Sequence, residues 1–245
     1  MSDLKAIVLA AGKGTRMMSE ANHMPKVLRQ ACGKPLLHYV LQALDFIPRE
    51  NIVLVGGYRR EDVFAAFPGY PTAVQEPQLG TGHAVLCARE HLLGFDGTVL
   101  VCYGDMPLLK KEVYQGLLQF HEQSHAKCTM LSGLCQEYLP YGRVIRDEQG
   151  DFVEIVEERD CTEAQKAIRE LNVGIYAFDA QELLACLDLL KNNNAQKEYY
   201  LTDVPAIMRS RGNRVAVYTA ELNEQMIGVN TPEQLAETER HLLAR

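Results

Sequence analysis

Between positions 9 and 17 the chain reads LAAGKGTRM, a glycine-rich segment directly behind an apolar run, and Pro25-Lys26 follows a short loop later. Gly12 and Gly14 let the backbone approach a phosphate closely and point N–H groups at it, while Lys13 and Arg16 add positive charge. Taken alone, the Gly-x-Gly spacing fits an ordinary strand-to-loop turn equally well. Two other phosphate-binding patterns fail on spacing. A dinucleotide fingerprint needs Gly or Ala three residues after Gly14, where Met17 stands; Gly-x-x-x-x-Gly-Lys-Ser/Thr occurs nowhere, and Gly33-Lys34 runs into Pro35.

Asp105 is a second candidate. It follows the apolar run VLVCY, just past the end of a buried strand, where a carboxylate can meet Mg²⁺ that keeps most of its waters. The bland alternative is an Asp capping the turn before Met106-Pro107. Asn230, ahead of Thr231-Pro232, reads by itself as a residue that opens a helix, and Glu157-Glu158-Arg159-Asp160 as a solvated charge cluster. His83, Cys87 and His91 recur at four-residue spacing on one predicted helix. Ligands on one helix still need a partner elsewhere, and the Thr81-Gly82 start suits a helix tucked behind a nucleotide loop instead.

These residues need a scaffold, and the pattern around them supplies one. Short β-type runs alternate with segments of helical period: IVLA at 7–10, a helix near 35–45, IVLV at 52–55, helices near 61–67 and 82–93, and TVLVCY at 98–103. Alternation of this kind implies βαβ units and a mostly parallel sheet. After a helix near 110–123 the rhythm changes, because CTMLSGL, GRVIRD and FVEIVE follow one another as strands and predict a small late β lobe over the sheet edge. VGIYAF at 173–178, helices near 180–191 and 202–211, VAVYT at 215–219 and a last helix opened by Thr231-Pro232 complete the pattern.

Composition limits the function classes. With 245 residues, 47% of them apolar, one α/β domain can bury most of its core. A formal net charge of -7 excludes a general affinity for nucleic acid or anionic lipid, so any anionic ligand must be held locally. Seven scattered Cys without a Cys-x-x-Cys pair do not make a disulfide framework or zinc knuckle and suit a reducing compartment. Ala6 to Ala11 is too short for a signal-peptide core, and no segment approaches a membrane span. A cytoplasmic protein is expected.

LAAGKGTRM followed by PKVL resembles the signature of the sugar-phosphate nucleotidyltransferases. QLGTGHAV at 78–85, YGDMPLL at 103–109, YGRVIRD at 141–147, IVEERD at 155–160, LNVGI at 171–175, EYYLTDV at 198–204 and GVN at 228–230 then appear in the order found in the uridyltransferase domain of bacterial N-acetylglucosamine-1-phosphate uridyltransferases. The likeness spans nearly the whole chain. It implies an α/β fold of Rossmann-like, doubly wound type, organised as one nucleotidyltransferase domain over 1–245. Nucleotide binding would fall in about 1–125, sugar binding in about 126–230 and a C-terminal helix in 231–245.

The resemblance also implies roles at matching positions. Leu9, Ala10, Ala11, Gly12, Gln75, Gly80 and Thr81 would hold uracil and ribose, and Arg16 and Lys26 the phosphates of UTP. Asp105 and Asn230 would carry Mg²⁺; Tyr103, Gly104, Gly142, Glu157, Asn172 and Thr202 would face the sugar 1-phosphate. A sugar 1-phosphate, with a second pKa near ~6, is already a dianionic nucleophile at neutral pH. Such a reaction needs positioning and charge neutralisation and no catalytic Ser, Cys or His.

The chain departs from the family in three places. The loop from Met18 to Met24 is longer than usual before Pro-Lys, and Val173 stands where a Thr is common. No hexapeptide periodicity follows the helix ending HLLAR, so the acetyl transfer of the bifunctional relatives is not expected of this chain, whether it is a stand-alone enzyme or part of a longer one. Its oligomeric state is not legible. The rival readings are a uridylyl- or thymidylyltransferase for another hexose 1-phosphate, whose Pro-x-Thr element Met18-Ser19-Glu20-Ala21 does not supply, and a sugar-nucleotide sensor without chemistry. A sensor has no need for Arg16, Lys26, Asp105 and Asn230 together. The failed dinucleotide fingerprint disfavours a nicotinamide-dependent oxidoreductase.

Overall fold

The segments LKAIVLA, IVLVG and TVLVCY lack the polar alternation of a half-solvated strand and are buried along most of their length, as strands covered by helices on both faces must be. The structure, a computed structural model, describes residues 3–14, 24–136 and 138–244. In chain order the elements are β1 (Leu4–Ala10), a short hairpin of β2 (Gln30–Ala31) and β3 (Lys34–Pro35), α1 (Leu36–Ala43), β4 (Ile52–Gly56), α2 (Arg60–Ala66), β5 (Thr72–Val74), α3 (Thr81–Cys87), β6 (Thr98–Tyr103) and α4 (Lys111–Ser124). Then follow β7 (Cys128–Leu134), β8 (Arg143–Arg146), β9 (Phe152–Val156), α5 (Glu163–Lys166), β10 (Glu170–Asp179), α6 (Ala180–Leu187), α7 (Val204–Ser210), β11 (Val215–Ala220) and α8 (Pro232–Leu243).

The main sheet runs β11-β7-β10-β6-β1-β4-β5. β6, β1, β4 and β5 are parallel neighbours, β11 is parallel to β7, and β10 is inserted antiparallel to both β6 and β7. The expected mostly parallel α/β sheet is therefore present. Side chains of α3, α6 and α7 pack on one face and those of α1, α2 and α4 on the other, which is the doubly wound arrangement.

β7, which the sequence pattern groups with the late strands, lies inside the main sheet and is buried at all but its last residue. The late lobe reduces to the β8–β9 hairpin, joined to β10 through Leu171 and Arg143. The helix expected near 82–93 is interrupted: α3 ends at Cys87 and a 3₁₀ turn spans Arg89–His91. The β2–β3 hairpin, β5 and α5 carry too few residues to show a period and were not legible. Thr231 caps α8 with Pro232 in its first turn, as its sequence predicts. Among the described residues no helix is long and apolar enough to cross a membrane.

One glycine shapes the sheet toward the site. The pairing of β10 with β7 shifts register between Asn172 and Tyr176, and Gly174 within that shift has φ +83°. A Cβ there would lie 2.2 Å from Cε2 of Tyr103. Only glycine lets the Tyr103 ring pass this closely.

Candidate active site

Because β1, β4, β5 and β6 are parallel, their carboxyl ends share one edge, the place where open α/β sheets collect ligand-binding loops. Ala11 to Gly14 leave β1 there, Gln75 follows β5, Gly80-Thr81 opens α3, and Asp105 follows β6. These loops enclose a cleft of about 600 Å³. Leu9, Ala10, Ala11, Gly12, Gln75, Gly80 and Thr81 all line it, as do Lys26, Tyr103, Asp105 and Asn230. Arg16 lies outside the described residues, within 15–23.

The Gly80 loop is braced from behind. The buried Gln75 side chain donates to the Gly80 carbonyl at 2.7 Å, and Thr81 Oγ1 accepts the Leu201 N–H at 3.0 Å. Gly82 N–H donates to Tyr199 O at 2.8 Å and Tyr199 N–H to Leu79 O at 2.8 Å. Gly80 has φ +111°, and a Cβ on it would meet the Tyr199 carbonyl at 2.6 Å. Tyr199 to Leu201 of the EYYLTDV string thus fix the loop's shape, and Glu198 reaches the cleft.

Three residues far apart in sequence meet at the cleft's inner end. Lys26 opens a 3₁₀ turn, Lys26–Leu28, anchored by buried Val27. Its ammonium donates to Asp105 Oδ2 in an ion pair and to Asn230 Oδ1 at 3.0 Å. The Asp105 carbonyl in turn accepts the Val229 N–H at 2.9 Å, which ties the segment before α8 to the end of β6. A carboxylate and an amide oxygen therefore converge on one cation, here the Lys26 ammonium, and both are the hard oxygen donors that Mg²⁺ prefers.

A smaller cavity of about 170 Å³ adjoins the cleft and shares Tyr103, Asp105 and Asn230 with it. Gly142, Glu157 and Asn172 line it together with Val173. Burial pushes the Glu157 carboxyl pKa up, and a 3.0 Å hydrogen bond from Thr202 Oγ1 pulls the other way. Burial likewise raises the pKa of the Tyr103 phenol. Asn172 is held by its own strand: Nδ2 donates to Tyr176 Oη at 2.8 Å, and Oδ1 accepts the Gly174 N–H at 3.2 Å.

Two residues read as sugar-facing stand elsewhere. Thr202, 2% exposed, lies behind Glu157 and lines neither cavity; its hydroxyl is taken up in positioning that carboxylate. Gly104 is floor: its N–H donates to Leu9 O at 2.9 Å, and a Cβ would press on Leu37 at 3.1 Å. Of the candidate metal stripe only His83 and Cys87 stay together, with Cys87 Sγ 3.8 Å from His83 Nε2, while His91 Nε2 turns to the Thr72 carbonyl at 3.0 Å. Among the described residues no third ligand joins the pair.

The cavities also contain residues that sequence reasoning did not single out: Gln78 and Glu198 in the larger, Tyr141 and Gly228 in the smaller. Each belongs to a string already quoted, QLGTGHAV, EYYLTDV, YGRVIRD or GVN. The strings mark the neighbourhood and leave open which side chains turn inward.

Fold and site together define a nucleotidyltransferase scaffold, and residues 6–168 match the family model described as the MobA-like NTP transferase domain. The chain belongs to that family. Over 243 residues it is 44% identical to the bifunctional protein GlmU of Alkaliphilus metalliredigens, covering 99% of this chain and 52% of the relative. The GlmU proteins of Clostridium novyi, 44% identical over 98% of this chain and 52% of theirs, and of Brevibacillus brevis, 42% over 100% and 53%, are similar to the same extent. The chain spans about half the length of these curated relatives. A Bacillus anthracis structure described as a glucose-1-phosphate thymidylyltransferase in complex with sucrose superposes with a TM-score of 0.75 at 18% identity, covering 98% of this chain and 95% of that one, a likeness of fold alone.

Proposed function

We propose that this chain transfers the uridylyl group of UTP to N-acetylglucosamine 1-phosphate, forming the UDP-sugar and releasing pyrophosphate. The observation that carries the reading is the Lys26–Asp105–Asn230 cluster at the seam between a larger and a smaller cavity. A reaction joining two bound phosphates needs its cationic centre at such a seam. The ordered strings and the similarity to GlmU proteins support the choice of nucleotide and sugar.

In this reading Leu9 to Gly12, Gln75, Gly80 and Thr81 hold the uridine, and Arg16 and Lys26 face the phosphates. Asp105 and Asn230 would hold Mg²⁺, which when bound supplies positive charge against the phosphate oxygens. Gly142, Glu157 and Asn172 orient the sugar so that its phosphate, already a dianion, attacks without a general base. Tyr103 separates the two halves, residues about 1–125 serving the nucleotide and about 126–230 the sugar. Net charge and unpaired thiols fit a cytoplasmic enzyme that binds neither nucleic acid nor membrane.

The test is pyrophosphate release by purified protein with UTP, Mg²⁺ and N-acetylglucosamine 1-phosphate, run beside other nucleotides and hexose 1-phosphates. Turnover with the first set is expected. Nucleotide binding without turnover on any sugar phosphate would replace this reading by that of a sensor.

A further inference from the structure

We propose that Tyr141 is a positioning residue for Asn230 and, through it, for the divalent cation of the reaction. The inference rests on the reading of Asp105 and Asn230 as the cation's ligands. Tyr141 lies just before β8, in the wall of the smaller cavity. Its hydroxyl accepts the Gly228 N–H at 2.8 Å and donates to the Met226 carbonyl at 2.7 Å. Used in both directions, the hydroxyl clamps the turn that leads into Asn230. Gly228 makes the close approach possible, since even a Cβ there would stand 3.1 Å from Tyr141 Oη and 3.5 Å from Asn230 Nδ2.

The clamped turn decides which end of the Asn230 amide faces the cluster. The Gly228 carbonyl accepts from Asn230 Nδ2 at 3.2 Å, which leaves Oδ1 directed at the Lys26 ammonium, 3.0 Å away. An asparagine amide has two ends of nearly equal size, one that accepts and one that only donates. Turned over, it would present N–H groups to a cation. Fixing the Gly228 carbonyl therefore fixes the sign of the ligand. Tyr141 is itself pinned at its backbone, where its carbonyl accepts from the guanidinium of Arg143. Arg143 is 1% exposed and paired with Glu158 at 2.9 Å. From the other side, Gln234 Oε1 accepts the Asn230 backbone N–H at 2.8 Å. A side chain in the smaller cavity thus reaches the cation site through one peptide turn.

The experiment uses Mn²⁺ as the probe, titrated into protein saturated with UDP-N-acetylglucosamine, with free ion counted by electron paramagnetic resonance. Melting followed by circular dichroism sets the temperature at which every variant is folded. Tyr141→Phe, which removes only the hydroxyl, is expected to weaken Mn²⁺ binding about tenfold, the scale for losing a group that orients a metal ligand. Asn230→Ala should weaken it at least as much, and Tyr141→Phe combined with Asn230→Ala no further than Asn230→Ala alone. Wild-type Mn²⁺ affinity in Tyr141→Phe, with Asp105→Ala still abolishing binding, would overturn the role of Tyr141 and leave the cation reading standing. Effects of Tyr141→Phe and Asn230→Ala that simply multiply would show that Tyr141 does not act through Asn230. Undiminished Mn²⁺ binding in Asp105→Ala would overturn the cation reading and this inference together.

Discussion

Lys26 and Asp105, 79 positions apart in the chain, form an ion pair whose side chains are only 15% and 16% exposed. The pair sits where the two cavities meet, and Asn230 completes it from a third part of the chain. A mostly buried charge is tolerated when paired and becomes costly when its partner is removed. Asp105 is satisfied here by the Lys26 ammonium; in the proposed reaction a divalent cation would satisfy the same carboxylate.

Asp105→Ala is expected to lower turnover on the order of a thousandfold or more, since it deletes the one carboxylate at the proposed cation site. Asn230→Ala should cost less, because a neutral amide oxygen contributes less to holding a cation. Steady-state rates across a Mg²⁺ titration check both. Near wild-type turnover of Asp105→Ala at limiting Mg²⁺ would mean the ion is held elsewhere.

Lys26→Ala should reduce turnover about a hundredfold, the scale for one preorganised donor, and leave the fold intact. If Asp105 holds the cation as proposed, the Lys26 ammonium paired with it would compete for that carboxylate, so added Mg²⁺ should raise the melting temperature of the variant more than that of the wild type. An unfolded Lys26→Ala protein, seen by circular dichroism, would make the residue structural. Arg16→Ala is expected to lower turnover on the same scale.

For the acceptor, kcat/KM should favour N-acetylglucosamine 1-phosphate over glucose 1-phosphate by at least about a hundredfold, because a site that hydrogen-bonds an acetamido group is left with unpaired polar atoms by glucose. Asn172→Ala should shrink the ratio and leave UTP affinity nearly unchanged. It also strips the Tyr176 hydroxyl of its partner, with an expected stability loss of about 1–3 kcal/mol. Tyr176→Phe separates the two effects, since it breaks the same hydrogen bond and keeps the amide. Equal efficiency with both sugars in the wild type would remove the amino-sugar assignment.

Asp203, beside the first turn of α7, gives a pH signature away from the chemistry. Burial lifts its carboxyl from the ordinary 3.8 to about 6, with Asp160 and Glu154 adding to the rise. The folded state holds this proton more tightly than the unfolded state does. The stabilisation is therefore complete below 3.8 and is lost as pH rises through about 6. Asp203→Asn should gain stability over the wild type across that interval and hold a constant advantage above it, on the order of 1 kcal/mol after allowance for partial exposure. Urea melts at pH 4 to 8 measure it; parallel curves for the two proteins would show that Asp203 titrates normally.

The sequence by itself determined the layered α/β fold, because hydrophobic runs of strand length alternating with helical periods are local patterns, legible from TVLVCY at 98–103 or the Thr231-Pro232 start of α8 without knowledge of partners. It also marked the loops of the site. Glycine spacing after β1 and an Asp after β6 belong to single segments, and in a parallel sheet every such segment must end on the same edge. Tertiary structure alone decided that β10 runs antiparallel between β6 and β7, a pairing across distant segments. Only there does it emerge that Thr202 stands behind Glu157 and that Tyr141 grips Gly228. A hydroxyl's direction depends on which backbone groups the fold brings within 3 Å of it, and no periodicity along one chain carries that information.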